Sequence, residues 1–475
     1  MTGPATTWKK VGVMGLGVSG VAAAGFLARR GVSVVAADSK NAEALGEEAA
    51  GLSRLGVALR CGAAAGASVF AGCELVVASP GVPPNVPALA SAAAAGIPIV
   101  AEVELAARFV RGVIVGITGT NGKSTVTALT GAILKAGGVA SWVCGNIGTP
   151  LTTVAEADLP LPDAEARKVH YVVELSSFQL EGIQTLRPHV SVLLNVSPDH
   201  QDRYARVEDY YAAKARIFMN QRGDDVAVVN WDDAGCHPIA ERLVARLFPF
   251  SLTQDLEEGA VLQGDRLTLR RGGKDDAFLE TSRVKIPGRH NLENVLAAAA
   301  AAAHCGAAPT VIARGVSEFR GLPHRLELVS QVSGVSYYND SKATNVGATL
   351  RALEAFTAPV VLLLGGYDKG GEFEQLRAPL SSAARGAAGR VRAVATFGKA
   401  GDDIARRLEG SGPQIVRSGS LADAVKAAAG VAHPGDVVLL APACASFDAY
   451  TGYAQRGEDF RAMVKKLGTQ AGGQA

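Results

Sequence analysis

The chain has 475 residues, a length that favours two to four domains, each able to bury its own hydrophobic core. Hydrophobic residues make up 48% of it and charged residues 19%, as in ordinary globular proteins. The 47 basic and 45 acidic residues leave a formal net charge of +2, which gives no reason to expect nucleic acid or an anionic membrane as a partner.

The first part of the chain, roughly residues 1–108, alternates short apolar strands with helical stretches. Strands are predicted at Val11–Met14, Val32–Ala37 and Glu74–Ala78. The loop Gly15-Leu-Gly-Val-Ser-Gly20 follows the first strand, and Asp38 comes about twenty residues later, as in the dinucleotide-binding fingerprint. Taken alone, this weak pattern indicates an NAD-dependent dehydrogenase.

The second part, roughly residues 109–322, begins with the same alternation. Strands are predicted at Val113–Thr118, His170–Glu174, Val190–Val196 and Val226–Asn230. A small antiparallel patch is predicted at Arg266–Arg271 and Ala277–Ile286, because both segments alternate weakly. The segment Ala155–Arg167, rich in Pro, Asp and Ala, favours a loop or a short helical insertion, and Asn291–Ala303 favours a helix.

A glycine-rich loop, Gly116-Ile-Thr-Gly-Thr-Asn-Gly-Lys-Ser-Thr125, joins the first of these strands to a helix. Backbone N–H groups at a helix N-terminus bind phosphate, Lys123 can reach the outer phosphates, and the Ser124 hydroxyl can hold Mg²⁺. The general phosphate-loop pattern needs glycine at position 117, where this chain has Ile117. The alternative is a glycine-rich turn with a solvated lysine.

Polar residues follow the next two predicted strands of this second part. Glu174 ends one strand, and Asp199 and His200 follow the other. Ligands bind at the carboxyl edge of a parallel sheet, where Glu174 is a plausible oxygen ligand for Mg²⁺. The alternative for each residue is a polar strand end that faces water.

The third part, roughly residues 323–475, is again doubly wound. Strands are predicted at Val335–Tyr338, Val360–Leu364, Ala393–Phe397, Ile415–Val416 and Val437–Leu440. We therefore predict an α/β chain of three domains: an N-terminal Rossmann-like nucleotide-binding domain, a central P-loop mononucleotide-binding ATPase domain, and a C-terminal Rossmann-like doubly wound domain.

The phosphate loop, as Gly119-Thr-Asn-Gly-Lys-Ser124, resembles that of the Mur ligase and folylpolyglutamate synthetase superfamily. Other motifs are similar to those of Mur ligases that add D-glutamate, rather than L-alanine, a diamino acid or a dipeptide. They are Glu174-Leu-Ser-Ser-Phe-Gln-Leu-Glu181, Asn195-Val-Ser-Pro-Asp-His-Gln-Asp-Arg-Tyr204, Phe319-Arg-Gly-Leu-Pro-His-Arg-Leu-Glu327, Asn339-Asp-Ser-Lys-Ala-Thr-Asn345, Leu362-Leu-Leu-Gly-Gly-Tyr-Asp-Lys369 and Ala441-Pro-Ala-Cys-Ala-Ser-Phe-Asp448. The family often has other residues where this chain has Tyr367-Asp368, although Lys369 is in place.

The resemblance implies an ATP-dependent ligase that joins D-glutamate to UDP-N-acetylmuramoyl-L-alanine in peptidoglycan precursor synthesis. ATP would convert the alanine carboxylate into an acyl phosphate, and the D-glutamate amine would attack it through a tetrahedral intermediate. Two Mg²⁺ ions and a carbamylated Lys214 are implied as well. From the residues alone, Lys214 on a half-apolar helix favours a surface lysine with its head in water.

The resemblance also assigns roles to individual residues. Catalytic roles fall to Lys123, Asn146, His200, Lys214 and Lys342, and metal ligands are Ser124, Glu174, His200 and Lys214. ATP would be held by Gly119, Thr120, Asn121, Gly122, Lys123, Ser124, Thr125, Asn291, Asn294, Arg325 and Asp340. The UDP-linked substrate would contact Val18, Ser19, Gly20, Asp38, Ser39, Asn146 and Ser176. D-glutamate would contact Thr344, Lys369, Ser446, Phe447 and Tyr453.

Several of these residues could instead have only a structural role or no role. Asn291 could cap a helix while Asn294 is exposed, and any residue assigned in the third part could be an ordinary loop residue. Three other functions stay open: a sibling ligase with another amino acid, the dehydrogenase, and a nucleotide-binding module without catalysis.

Location and assembly follow from simple features of the chain. The six cysteines form no CxxC pair or zinc-like spacing, which indicates free thiols in a reducing compartment. The apolar run after Lys9 and Lys10 is broken by glycines, and no apolar stretch is long enough to span a membrane. We expect a cytoplasmic monomer, because the ligand sites are complete within one chain.

Overall fold

The structure is a computed structural model that describes residues 7–200, 203–204, 206–381 and 391–472. It has the predicted three-domain α/β architecture, with one sheet in each domain. Its contacts divide the chain into two compact units. The first comprises residues up to Arg283 together with Leu292–Ser317, and the second comprises Val284–Asn291 together with the chain from Glu318 onward.

The first sheet has five parallel strands in the order β3-β2-β1-β4-β5. The strands are β1 (Lys10–Met14), β2 (Ser33–Asp38), β3 (Ala58–Cys61), β4 (Leu75–Ala78) and β5 (Ile99–Ala101). The helices are α1 (Val18–Ala28), α2 (Gly46–Gly51), α3 (Pro87–Ala94) and α4 (Glu102–Ala107). Residues of β1 from Val11 onward are all buried, because a parallel strand covered on both faces is apolar throughout.

The second sheet has nine strands in the order β14-β13-β12-β11-β10-β9-β6-β8-β7. They are β6 (Val113–Thr118), β7 (Ser141–Gly145), β8 (His170–Glu174), β9 (Val190–Leu193), β10 (Val226–Asn230), β11 (Arg246–Ser251), β12 (Gly259–Gln263), β13 (Arg266–Arg271) and β14 (Lys274–Glu280). Only the pairs β12–β13 and β13–β14 are antiparallel, which confirms the small antiparallel patch. Three parallel strands, β9, β6 and β8, lie side by side in its parallel part.

The helices of this part surround its parallel strands. They are α5 (Lys123–Ala136), α6 (Leu151–Asp158), α7 (Asp163–Ala166), α8 (Ser177–Glu181), α9 (Val207–Ala215), α10 (His237–Ala240), α11 (Arg289–His304) and α12 (Pro309–Glu318). The two short helices α6 and α7 occupy most of Ala155–Arg167, so the helical alternative for that segment was right.

Two strand predictions in this part were wrong in their bounds. Strand β9 ends at Leu193 rather than Val196, because the chain turns there to hydrogen-bond with the phosphate loop. Strand β14 lies at Lys274–Glu280 rather than Ala277–Ile286, because the Gly272-Gly273 turn pairs Arg271 with Lys274 at its start.

The third sheet, in the second compact unit, has six strands in the order β15-β16-β20-β17-β18-β19. They are β15 (Glu327–Val332), β16 (Val335–Asn339), β17 (Val360–Gly365), β18 (Val391–Phe397), β19 (Gln414–Arg417) and β20 (Val437–Ala443). The helices are α13 (Val346–Glu354), α14 (Arg377–Leu380), α15 (Gly401–Leu408), α16 (Leu421–Val431) and α17 (Tyr453–Gly472). All pairs except β15–β16 are parallel, so the loops after β16, β17 and β20 meet at one carboxyl edge.

Two buried glutamates of α4 join the first sheet to the second. One oxygen of Glu104 accepts hydrogen bonds from the backbone N–H groups of Gln184, Thr185 and Leu186, at 2.8–2.9 Å. Although burial opposes ionisation, these bonds and the Thr185 hydroxyl lower the pKa of Glu104. Glu102 accepts from both the N–H and the hydroxyl of Thr152. The two sheets are thus held together by two buried carboxylates, of which Glu104 accepts hydrogen bonds at both oxygens and Glu102 at one.

Among the helices of the described residues, none is both long and apolar enough to cross a membrane. The six cysteines are all free, as predicted.

Candidate active site

The phosphate loop joins β6 to α5 in a shape that requires glycine. Gly122 has a φ of +86°, and a Cβ there would lie 2.4 Å from Asn294 Oδ1. The loop is fixed from outside by Asn195, whose Oδ1 accepts from Asn121 N–H at 2.8 Å and whose Nδ2 donates to Asn121 O at 3.2 Å. The first-turn N–H groups of α5 are therefore held in the orientation that binds an anion.

The phosphate-loop lysine folds back onto its own loop. Lys123 Nζ donates to Gly119 O and to Thr120 O, each at 2.8 Å. These carbonyl oxygens hold the ammonium group at the loop, where a phosphate would be its stronger partner. Ser124, in the first turn of α5, is only 6% exposed. Both side chains are placed as a nucleotide site requires.

Glu174 combines burial with an unsatisfied oxygen. It is 3% exposed, and its Oε1 accepts from Asn146 Nδ2 at 2.8 Å. Its Oε2 is buried without a hydrogen-bond partner among the described residues. An orphaned carboxylate oxygen costs free energy unless a cation or donor satisfies it, so this atom fits a Mg²⁺ ligand. Asn146 also donates its N–H to Glu174 O at 2.9 Å, which fixes the two residues together.

The protein offers few further ligands for such an ion. In the described ranges, no group of three or more His, Cys, Asp or Glu side chains could hold a metal. Mg²⁺ typically keeps several waters and binds through one or two carboxylates together with substrate phosphates. Glu174, Ser124 and a bound triphosphate would form a site of that kind.

Lys214 is not a surface lysine, so the alternative drawn from its residue pattern was wrong. It is 1% exposed, and its Nζ donates to Gly119 O at 2.8 Å, beside the phosphate loop. The ammonium lies 4.4 Å from the Tyr210 ring centroid, in cation–π contact. The pKa of Lys214 is lowered to about 7, mainly by burial and to a smaller extent by repulsion from Lys123, although the charge of Asp199 opposes the shift.

His200 lies at the same edge in a left-handed backbone conformation, with φ of +51°. Its ring contacts Phe178 edge-on at a centroid distance of 4.8 Å, and its side chain is 43% exposed. Asp199 Oδ1 accepts from His200 N–H at 2.9 Å. The imidazole is therefore accessible to a ligand, while its metal and catalytic roles stay predictions.

Ser176 is engaged at the start of α8. Its hydroxyl accepts from Gln179 N–H, and Gln179 Oε1 accepts from Ser176 N–H, which together make a capping box. A substrate contact would have to share that hydroxyl.

A cleft of about 380 Å³ lies above the first glycine loop. Val18, Ser19, Asp38 and Ser39 line it, as the predicted UDP contacts require, and Ser79–Val82 form its far wall. Asp38 accepts from Leu16 N–H at 2.7 Å and thereby braces the loop. Gly20 lies beneath it in contact with the loop backbone, because a Cβ there would be 1.8 Å from Gly15 O.

We expect Gly20→Ala to abolish binding of UDP in this cleft, since the methyl group must displace the loop. Melting-temperature shifts with UDP and with NAD⁺ measure this. UDP should stabilise the wild type and the control Gly51→Ala, where a Cβ meets no atom within 4 Å. Stabilisation by NAD⁺ and not by UDP would instead support the dehydrogenase.

The two asparagines assigned to the adenine side are both buried, so the alternative of an exposed Asn294 was wrong. Asn291 is the third residue of α11 rather than its cap, and its Nδ2 donates to Pro287 O at 2.5 Å. Asn294 Oδ1 faces Gly122 of the phosphate loop. Asn294 is thus placed beside the nucleotide site, and the contact of either residue with adenine stays a prediction.

In the second compact unit, Arg325 and Asp340, which were assigned to ATP, and Lys342, which was assigned a catalytic role, interact near the end of β16. Asp340 is 7% exposed, and burial raises its pKa to about 6 although Arg325, Lys342 and Arg351 oppose the shift. An acid surrounded by cations at a sheet edge is typical of an anion-binding region. Their contact with ATP stays a prediction.

The residues assigned to D-glutamate come from the same carboxyl edge. Thr344 follows β16, Lys369 follows β17, Ser446 and Phe447 follow β20, and Tyr453 begins α17. Lys369 and Phe447 are exposed, whereas Ser446 is buried. Lys342 lies 5.9 Å from the Tyr453 ring centroid. The loops bring cations and hydroxyls to one edge, as a dicarboxylate requires, and the individual contacts stay predictions.

Two residues that contact the phosphate loop, Asn195 and Tyr210, were given no role from the sequence. Asn195 lies two residues after the end of β9, a position that could have marked it as a loop contact. Tyr210, one helical turn before Lys214, donates to Thr120 Oγ1 at 3.2 Å. Its spacing of four residues on a helix places it on the lysine's face.

Comparison with known families finds three matches in chain order. The Mur ligase MurD-like N-terminal domain matches residues 9–101, the Mur ligase middle domain matches 117–302, and the Mur ligase glutamate ligase domain matches 324–444. The chain is 45% identical over 459 residues to the UDP-N-acetylmuramoylalanine–D-glutamate ligase of Acidobacterium capsulatum, covering 96% of each. It is 44% identical over 464 residues to the enzyme of the same name from Geobacter metallireducens, covering 97% of this chain and 98% of that protein.

Solved structures agree on the fold. The chain resembles UDP-N-acetylmuramate–alanine ligase from Thermotoga maritima, with a TM-score of 0.56, 18% identity, and coverage of 97% of this chain and 99% of that one. It also resembles a MurF ligase from the same organism in complex with ADP, with a TM-score of 0.57, 16% identity, and coverage of 92% and 95%.

Proposed function

Because the chain belongs to the Mur ligase family, we propose that it joins D-glutamate to UDP-N-acetylmuramoyl-L-alanine, with conversion of ATP to ADP and phosphate, in peptidoglycan synthesis. The observation that carries this is the group of Lys123, Glu174 and Lys214 around one phosphate loop. The length and identity of the match to named D-glutamate ligases support the choice within the family.

The reaction needs activation because a carboxylate and an amine do not condense in water. The alanine carboxylate attacks the γ-phosphorus of ATP, and its C–O–P linkage replaces the bond to ADP. The D-glutamate amine then attacks the acyl carbon, and phosphate leaves from the tetrahedral intermediate. Mg²⁺, when bound, supplies positive charge to the phosphoryl oxygens.

In this scheme the chain's own residues position the substrates and neutralise the charge of the phosphates. The α5 N-terminus and Lys123 hold the phosphates, and Lys123 must exchange its two loop carbonyls for them. Glu174 Oε2 and the Ser124 hydroxyl would hold the cation. Asn146, fixed by Glu174, orients the acyl group of the UDP-linked substrate.

The buried Lys214 is the residue that we propose to be carbamylated. A neutral amine attacks CO₂, forming an N–C bond and losing a proton, and a pKa of about 7 leaves a large neutral fraction at neutral pH. The product is an anion, which turns a repulsive neighbour of Lys123 into an attractive one. It also adds two oxygen atoms beside the phosphate loop.

We expect activity at limiting bicarbonate to fall as pH drops from about 8 to about 6, since protonation below the lowered pKa removes the attacking lone pair. At the higher pH, where the amine is largely neutral, added bicarbonate should raise activity further. Carbon-13 NMR of enzyme equilibrated with labelled bicarbonate should show a carbamate signal that Lys214→Ala lacks and Lys135→Ala keeps. A chain without that signal, and indifferent to bicarbonate, would contradict carbamylation.

Phosphate release with UDP-N-acetylmuramoyl-L-alanine and each candidate amino acid tests the function. Turnover with D-glutamate alone is expected. Turnover with L-alanine, a diamino acid or a dipeptide would move the chain to a sibling activity, and absence of turnover at saturating Mg²⁺ and bicarbonate would refute the ligase.

A further inference from the structure

Arg456, in the first turn of α17, is a fully buried cation to which no role has been assigned. It is 0% exposed, and among the described residues it is the largest side chain that is fully buried. Arginine is almost never fully buried unless it is paired, because moving its charge out of water is costly. Retaining it inside a domain therefore calls for a specific reason.

The guanidinium donates hydrogen bonds to three separate loops. Its Nε and Nη2 donate to Ser341 Oγ and Ser341 O, both at 2.9 Å. Nη2 also donates to Cys444 O at 3.1 Å, and Nη1 donates to Ala445 O at 3.2 Å and Gly365 O at 3.5 Å. All five acceptors are neutral oxygens. Burial lowers the pKa of Arg456 to about 10, so it remains charged at neutral pH.

These loops carry the residues proposed to bind the amino acid. Ser341 lies just before Lys342 and Thr344, Gly365 ends β17 four residues before Lys369, and Ala445 directly precedes Ser446. Tyr453 is anchored as well, because Ser341 Oγ donates to Tyr453 O at 2.8 Å.

We infer that Arg456 is a positioning residue for the amino-acid substrate: it ties together the loops after β16, β17 and β20 and thereby sets the shape of the proposed D-glutamate site. The inference rests on the proposed function for the identity of the amino acid. A rigid fork of five N–H groups suits this task, which the three donors of a lysine cannot reproduce. Its buried positive charge also favours an anionic substrate at this edge.

The test compares Arg456→Met, Arg456→Lys and Arg392→Met. Arg392 is a matched control, because it forms an ion pair with buried Asp436 at 2.6 Å in the same unit but at the amino end of the sheet. For each variant we would measure the melting temperature and the KM for D-glutamate and for ATP. ADP–ATP exchange that depends on the UDP-linked substrate, without amino acid, reports the first step alone.

We expect Arg456→Met to raise the KM for D-glutamate by about tenfold or more, while the KM for ATP changes by less than about twofold and exchange is retained. Arg456→Lys should give a smaller rise, since the charge persists, and it serves alone if the Met variant does not fold. Arg392→Met should have a lower melting temperature, without a selective change in the KM for D-glutamate or for ATP.

An unchanged KM for D-glutamate in either Arg456 variant would overturn the inference. So would a lower melting temperature without a selective change in KM, which is the result expected for Arg392→Met. Wild-type turnover with a different amino acid would refute the proposed function instead. A selective rise in the KM for that amino acid in Arg456→Met would still support the positioning role.

Discussion

Lys123→Met should lower ligase turnover by at least about 100-fold, because a preorganised cation at the transferring phosphoryl group contributes on that scale. We expect no replacement for the charge from Lys214, which also donates to Gly119 O, because the proposed carbamylation would make it an anion. The fold should persist, because Lys123 is only partly buried and its bonds to Gly119 O and Thr120 O lie within its own loop. Phosphate release at saturating substrates measures the effect.

The matched control for this variant is Lys135→Met in the last turn of the same helix. Lys135 is exposed, so its removal should leave turnover and melting temperature close to those of the wild type. If Lys123→Met turned over normally, the phosphoryl-transfer role of the loop would be wrong.

Glu174→Gln should reduce activity by about 100-fold or more and raise the Mg²⁺ concentration needed for half-maximal rate. Glutamine has the same shape, and its oxygen can still accept the hydrogen bond from Asn146. The atom that it changes is Oε2, the buried oxygen without a hydrogen-bond partner among the described residues. An amide nitrogen there donates hydrogen bonds and cannot bind a cation.

Glu102→Gln makes the same chemical change at another buried carboxylate with an orphaned oxygen. Burial raises the pKa of Glu102, which makes a neutral side chain a closer substitute than at an ionised site. Its Mg²⁺ dependence should match that of the wild type. An unaltered Mg²⁺ requirement in Glu174→Gln would exclude Glu174 as a metal ligand.

All interior strands except β11 and β12 could be predicted from the sequence, whereas four of the six edge strands were missed. Strands β6, β8 and β10 have the predicted bounds, because strands buried on both faces are continuous apolar runs. The missed β3, β5, β7 and β15 all lie at sheet edges, where fewer side chains are buried. In β7, for example, Trp142 and Val143 are exposed. The missed β11 contains Pro249, a residue that argues against a strand.

Some residues of the candidate site could likewise be predicted from the sequence, and others could not. Glu174 and the phosphate loop could be located because strand ends and glycine turns are marked locally in sequence. The burial of Lys214 and Arg456 could not be predicted, because a charged residue in a helix favours the surface until tertiary contacts are known. Only the resemblance had assigned a role to Lys214. The burial of Lys214 depends on the phosphate loop, which lies about ninety residues earlier in the chain.

The donor-saturated carboxylate of Glu104 has a consequence for how the chain comes apart. Unfolding the first sheet alone would strip three N–H donors from an ionised carboxylate and leave Gln184, Thr185 and Leu186 with unsatisfied backbone. Partial unfolding is therefore penalised at both partners, so we expect the first two domains to unfold as a single cooperative unit. Fragments cut near residue 108, however natural the division looks in the sequence, would each carry half of that bonded set.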